Sequence, residues 1–308
     1  MSAPSPRAHR GAALLIALIV VALATLIGIG TIERGQGTLA RTQALLNTER
    51  SYQYALGMDI LADELIRQAM NEDIDPALLN GAWTPVFEVP GGLIQGRLLD
   101  QNSRFNVNAL GHPEPAAAAR ALVAFERLLE QLGLDPVIAL ELADWIEGAA
   151  TPRPGSAGDS WYASRQPPYR MGGRMLSHVT ELRWLRSVDD ATWERLRDRV
   201  AALPEPELRI NVNTVSPEVL ASLFETLELE AARGVVDAAP FNDLNAFLSH
   251  PVIAPLATPD LRRYLTVFSP WYLAQARVVI DEVERDYFRL IRAGQTSYDF
   301  RLFSQGVP

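Results

Sequence analysis

Residues 10–34 read RGAALLIALIVVALATLIGIGTIER, and the twenty-one residues 12–32 within them carry no charge. Wound as an α-helix at about 1.5 Å per residue, that run is roughly 30 Å long, the thickness of a bilayer hydrocarbon core. Glu33 and Arg34 end it. The basic flank, Arg7 and Arg10, lies on the N-terminal side alone, so the positive-inside rule places the N-terminus in the cytoplasm and the bulk of the chain outside. A cleaved secretory signal would have a shorter apolar core and a small-x-small site, to which Gly28-Ile29-Gly30 is a poor match. A plain signal anchor satisfies the hydropathy. The Arg10-Gly11 junction opens a third reading, taken up below.

Outward from this run the helical period continues. Leu39, Leu45, Leu46, Tyr52, Leu56, Ile60, Leu61, Leu65 and Ile66 recur at three- and four-residue intervals to about Met70, so one helix is expected, membrane-embedded first and amphipathic later. Gly35 and Gly37 are expected to weaken it. Residues 83–110 read as short strands around a Pro90-Gly91-Gly92 turn. Residues 116–132 then form a helix with Leu122, Phe125, Leu128, Leu129 and Leu132 on one face. Asp135-Pro136, Ser216-Pro217 and Thr258-Pro259 set a capping residue before a proline at the start of further helices. Ser187 with Asp190 gives a box-like start for a helix reaching about Leu203. Alternation returns at 271–281, 284–292 and 298–303, separated by turns such as Ala293-Gly294-Gln295. Strands on both sides of a helical block predict an α+β head interrupted by a large, mainly helical insertion.

Composition narrows the chemistry. The net charge of −9 lacks the basic excess a general nucleic-acid binder needs, and all 28 basic residues are arginine. The absence of cysteine excludes disulfides and thiolate chemistry. His9, His112, His178 and His250 are scattered without metal-ligand spacing. No nucleophile elbow, P-loop, zinc-protease or dinucleotide motif occurs. Asp144 and Glu147 could be named an acid–base pair, but nothing in the sequence sets a partner beside them. No enzymatic activity is expected.

The Arg-Gly junction ahead of AALLIALIVVALATLIG resembles the leader of type IV prepilins and pseudopilins, which a prepilin peptidase cuts after the glycine. That resemblance implies cleavage between Gly11 and Ala12 and N-methylation of Ala12. Most pilin-like subunits carry Glu at the fifth mature position; here it is Ile16. An unpaired carboxylate in hydrocarbon is costly, so its loss suits a subunit with no neighbour above it. Among pilin-like proteins this departure resembles the K-type minor pseudopilins of type II secretion systems (the GspK family). LLDQNSRFNVNAL (98–110), ADWIEG (143–148), WYASRQPPYR (161–170), HVTELRWL (178–185) and RINVNTVSPEVLASL (209–223) resemble that family's segments, in the same order.

The resemblance implies a type IV pilin-like fold, a long N-terminal helix plus an antiparallel sheet, with a large inserted helical domain. The divisions expected are a leader at 1–11, a transmembrane segment at 12–32, helix and first strands at 33–112, the insertion at 113–263 and closing strands at 264–308. It further implies a single-pass inner-membrane protein with a periplasmic bulk, at the tip of the secretion pseudopilus. The implied partners are the I- and J-type minor pseudopilins, other pseudopilins, the prepilin peptidase and the exported substrates, with no nucleic acid.

Three features of the bulk carry alternatives. The family's loop after its Asp-Trp-Ile motif binds calcium, and here Asp144, Glu147 and Asp159 are the acids retained. Packing of Trp161, Tyr162 and Tyr169 could fix the loop at 148–173 instead. The pairs Asn106/Asn108 and Asn211/Asn213 are expected on one side of short strands, in turn and cap duty. Residues 210–241 also resemble the helix-hairpin-helix unit of membrane-anchored DNA-binding proteins. The turn at 225–230, without glycine and with three acids, would repel phosphate.

Overall fold

The computed structural model describes residues 8–71, 79–293 and 301–305. Arg7 and the turn at Gly294 and Gln295 lie outside the described residues, as do positions 298–300 of the last expected strand. Helix α1 (Ala8–Asn71) runs unbroken for 64 residues, through Gly35 and Gly37. Its membrane-length stretch is bare: Leu14, Leu15, Ile16, Leu18 and Ile19 are all exposed, and no described side chain of the fold covers them. Further along, the helix docks. Ala55, Ala62 and Ile66 are buried against the sheet, with Tyr52 and Met58 packed partly buried on the same side.

That sheet begins with β1 (Phe87–Val89) and β2 (Gly92–Asp100), which are joined by Pro90-Gly91. Proline fixes φ at the first turn position, and Gly91 supplies φ +87° at the second. The chain then leaves the sheet after Asp100 and re-enters it 171 positions later at Trp271. Within the interruption come β3 (Phe105–Asn106), α2 (Pro115–Gln131), α3 (Val137–Glu147), α4 (Asp159–Ala163) and α5 (Asp190–Leu196). They are followed by β4 (Val200–Ala201), β5 (Ile210–Asn211), α6 (Pro217–Ser222), α7 (Leu229–Asp237), α8 (Leu244–Leu248) and β6 (Leu265–Thr266). The last strands are β7 (Trp271–Ile280), β8 (Val283–Arg292) and β9 (Arg301–Gln305).

The main sheet has the order β1-β2-β7-β8-β9, antiparallel throughout. The neighbours β2 and β7 are the strands that flank the inserted block, so its entry and exit lie side by side. A two-residue turn, Asp281-Glu282, joins β7 to β8 with φ of +49° and +65°, matching the twist of the hairpin. Asn47 on α1 donates to Asp281 Oδ2 at 2.6 Å and ties that turn to the helix.

The inserted block has its own core, centred on Phe105, Phe125, Leu128, Leu142, Leu182, Val219 and Phe247. Phe105 and Phe125 stack with centroids 5.2 Å apart. Burying such a side chain contributes roughly 1.5–3 kcal/mol, so this block holds a larger apolar reserve than the helix–sheet layer. The expected α+β class and long-helix-plus-sheet plan are what the structure shows.

Several local expectations need correction. The helix expected from Ser187 to Leu203 is α5, which ends at Leu196 and is capped by Asp189 accepting from Thr192 N. Ser187 is drawn away by tertiary structure, its N–H and hydroxyl both reaching Glu141 at 3.0 Å. Thr258-Pro259 opens only a 3₁₀ turn, with no side-chain cap. Asn108 lies in a 3₁₀ turn (Val107–Gly111) after a two-residue strand, and so does not share a strand with Asn106.

Candidate functional site

Three places concentrate polar or unpartnered groups: the bare part of α1, the seam where the inserted block meets the sheet, and the loop after α3.

On α1, the junction Gly11–Ala12 lies inside the helix. Ile16 is 61% exposed, as its place in a membrane-length apolar run requires. Lower on the same helix an apolar groove of about 280 Å³ opens between α1 and the sheet edge, lined by Met58, Leu61, Leu65, Pro85, Phe87 and Leu98.

At the seam, Asp100 is buried. Its Oδ1 accepts from the N–H groups of Asn102 (2.8 Å) and Ser103 (3.2 Å). Its Oδ2 accepts from Asn211 Nδ2 at 2.8 Å and from the Thr214 hydroxyl. Burial pushes the carboxyl above its ordinary value, opposed by the hydrogen bonds from Ser269, Thr214, Asn211 and Asn102. Asn102 binds both halves of the structure, donating to Arg209 O (2.8 Å) and accepting from Trp271 N (3.0 Å).

The asparagine pairs keep one local turn bond each, of the kind expected, and otherwise serve as long-range brackets. Asn106 Oδ1 accepts from Asn108 N and Leu203 N, and its amide donates to Glu205 O and Glu207 O. Asn108 donates to Leu176 O and Leu203 O and accepts from Leu176 N. Asn211 and Asn213 repeat the design: Asn213 N donates to Asn211 Oδ1, and Asn213 ties down Phe241 and Val267. The first asparagine of each pair closes a two-residue strand and the second lies just beyond it, the strands pairing in parallel, β3 with β4 and β5 with β6. The matching strings RFNVNAL (104–110) and RINVNTV (209–215) are thus two copies of one bracket, a repeat legible in the sequence itself.

The loop at 148–173 closes on itself. Gly148 ends α3 at φ +63°, the left-handed conformation that favours glycine, and a Cβ there would sit 3.0 Å from Gly173 Cα, a tight contact. Gly173 N donates to Trp145 O at 2.9 Å and shuts the base. Inside, Trp145, Tyr162, Tyr169 and Trp184 form an aromatic chain with successive centroids 5.3, 5.3 and 4.9 Å apart. Tyr162 is fully buried, which raises its phenol above the ordinary value.

The three acids expected to hold calcium are placed differently from one another. Asp144 is buried on α3, its Oδ2 accepting from Arg153 N at 2.8 Å and its Oδ1 from the Arg153 guanidinium. Glu147 Oε1 accepts from the other arm of that guanidinium at 2.7 Å. Asp159 is exposed at the start of α4 and accepts from Met171 N at 2.9 Å. The hydrogen bond to Glu147 raises the Arg153 pKa against partial burial, with Asp144 adding to it. Among the described residues no three acidic, histidine or cysteine side chains converge as a metal site. The donor set therefore does not fit calcium, because a guanidinium stands between the two acids that do meet.

The hairpin of α6 and α7 does form, and its turn carries Glu225, Glu228 and Glu230 exposed. Arg233, the nearest base, is paired to Glu230. Such a turn offers phosphate no positive field.

Comparison with known proteins places these features. Family models described as "Type II secretion system (T2SS), protein K" match residues 103–205 and 210–268. The chain is 33% identical to type II secretion system protein K of Klebsiella pneumoniae, over 88% of this chain and 89% of that protein. It is 34% identical to the protein of the same name from Pseudomonas aeruginosa, over 89% and 88%. In fold it resembles a chain of the GspK-GspI-GspJ complex from the enterotoxigenic Escherichia coli Type 2 Secretion System, with a TM-score of 0.76 at 23% identity. That likeness covers 87% of this chain and 100% of the solved one.

Proposed function

This chain belongs to the type II secretion system protein K family, and from that premise we propose that it is the minor pseudopilin at the tip of the secretion pseudopilus. It initiates or caps the assembly that exports folded proteins across the outer membrane. The observation that carries this reading is the pairing of a bare apolar helix with a bulky block rooted between β2 and β7. The helix can pack into a bundle of like helices within and below the membrane surface. The block would collide with any subunit stacked above it, which restricts the chain to an end position.

The leader follows from the same reading. Prepilin peptidase cuts between Gly11 and Ala12, and Ala12 becomes the methylated N-terminus. Ile16, where other pilin-like subunits carry Glu, leaves no carboxylate unpaired in lipid at a position without a neighbour. The mature protein is a single-pass inner-membrane protein with its bulk in the periplasm. Its partners are the I- and J-type minor pseudopilins, since a solved chain of similar fold sits in a complex with GspI and GspJ. The groove lined by Leu61, Leu65 and Phe87 offers an apolar helix a place to dock. The role is structural, with no catalysis and no nucleic acid.

Mass spectrometry of the mature N-terminus tests the leader. N-methyl-Ala12 is expected, and Gly11→Ala should leave an uncleaved precursor. Normal processing of that variant would sink the leader assignment. Co-purification with the I- and J-type subunits tests the tip assignment, and recovery of this chain along the length of the filament would overturn it.

A further inference from the structure

Helix α3 carries acids at three-residue spacing, Glu141, Asp144 and Glu147, and the first two are fully buried. Charges taken from water must be matched by a cation or heavily hydrogen-bonded. Both are met here by arginine. Arg186 reaches Glu141 Oε1 at 2.8 Å while also donating to Gly155 O in the loop. Arg153 forks across Asp144 and Glu147 and adds its own backbone N–H to Asp144. We infer that Arg153 is the resident cation of the loop at 148–173, its guanidinium holding the place between Asp144 and Glu147 that a divalent ion would otherwise take, so that the loop closes without metal.

The geometry supports this in three ways. Both oxygens of Asp144 are used by Arg153, and both oxygens of Glu141 by Arg186 and Ser187. A calcium ion needs six to eight oxygens, and the third candidate acid, Asp159, is exposed at the start of α4 with one oxygen turned to Met171 N. Arg153 is also pre-positioned, because Pro152 and Pro154 flank it and restrict the backbone on either side. Pro152 packs over Gly158, where a Cβ would meet its Cγ at 2.5 Å. A rigid planar fork of permanent charge suits two carboxylates better than a flexible ammonium would. A divalent ion brought to the same acids would meet a fixed positive charge already in contact with them.

Limited trypsin digestion of the full chain in detergent provides the test, since Arg165 and Arg170 lie inside the loop and report its opening. Wild-type cleavage at these two sites is expected to change by less than about twofold between EDTA, millimolar calcium and millimolar magnesium. Arg153→Met, which keeps length and loses charge, is expected to be cut at least about tenfold faster. Arg153→Lys restores the charge and is expected to be cut more slowly than Arg153→Met. Wild-type protection by calcium and not magnesium, with saturable calcium binding by calorimetry, would overturn the inference even if the variants failed to fold. Wild-type resistance in Arg153→Met would overturn it equally.

Discussion

Asp100, the last residue of β2, accepts a hydrogen bond from Asn211, 111 positions later, at 2.8 Å, with both side chains buried. Through this one contact the end of a sheet strand is joined to the second of the two asparagine brackets in the inserted block. Replacing Asp100 by Ala would leave without an acceptor one N–H of Asn211 Nδ2 (the other donates to Ser269 Oγ at 3.0 Å), the Thr214 hydroxyl and two backbone N–H groups. A loss of about 2–4 kcal/mol is expected in chemical denaturation. A loss below about 0.5 kcal/mol would mean that water reaches the seam.

Asn108 makes a comparable set of bonds inside the block, to Leu176 N, Leu176 O and Leu203 O. Asn108→Ala is expected to cost about 2–3 kcal/mol, since every partner left behind is a buried backbone group. Asn108→Asp should also destabilise, because a carboxylate cannot donate to the two carbonyls that the amide now serves. Thermal unfolding of the two variants, compared side by side, decides this.

His178 gives the fold a pH-dependent cap. It begins the 3₁₀ turn Val179–Trp184, its Nδ1 meeting Thr180 N, while Glu181 reaches back to His178 N. Burial lowers its pKa below the ordinary value, with Glu181 pulling the other way. The unfolded chain therefore takes the proton first: the contribution is whole above about pH 6.5 and is lost as pH falls through the lowered folded value. His178→Asn keeps a capping acceptor that does not titrate. Its melting temperature should fall less than that of the wild type on acidification over this window, the difference corresponding to about 1 kcal/mol or less.

Gly92 follows the β1–β2 turn, and a Cβ there would lie 1.9 Å from Val279 O, a backbone atom that cannot swing aside. Gly92→Ala should push β2 away from β7 at this end and cost about 1–3 kcal/mol. Amide hydrogen exchange should show faster exchange near Val279 and Ile280 and little change at Tyr272. Uniform protection along the strand would show that the sheet absorbs the methyl group.

Local signals carried most of the architecture. The apolar run, the three-to-four spacing along α1, the Pro90-Gly91 turn and the alternation at 271–292 each act within a few residues of themselves. The pairing of β2 with β7 was less visible, because it depends on where a block of its own core rejoins the sheet. Two-residue strands such as β3 and β5 have too little length to show a period at all. Tertiary demand also redirected local signals: Ser187 looks like a cap and serves Glu141, leaving Asp189 to cap α5. At the loop, the acids were visible and their partner was not. An arginine between two prolines carries no label until the backbone turns it back onto α3.

The adjacency of Asp100 and Trp271 also bears on how the chain folds. Bringing together the ends of an unstructured stretch of roughly 170 residues costs about 5 kcal/mol in closure entropy, before any strand pairing offsets it. A block that has already formed its core presents the two ends side by side, with Gln101 N on Trp271 O at 3.0 Å. Most of that entropy is then spent inside the block, and the zipping of β2 onto β7 becomes a short-range event started from one fixed rung. The inserted block would thus also serve as the clasp that sets the strands of its own host in register.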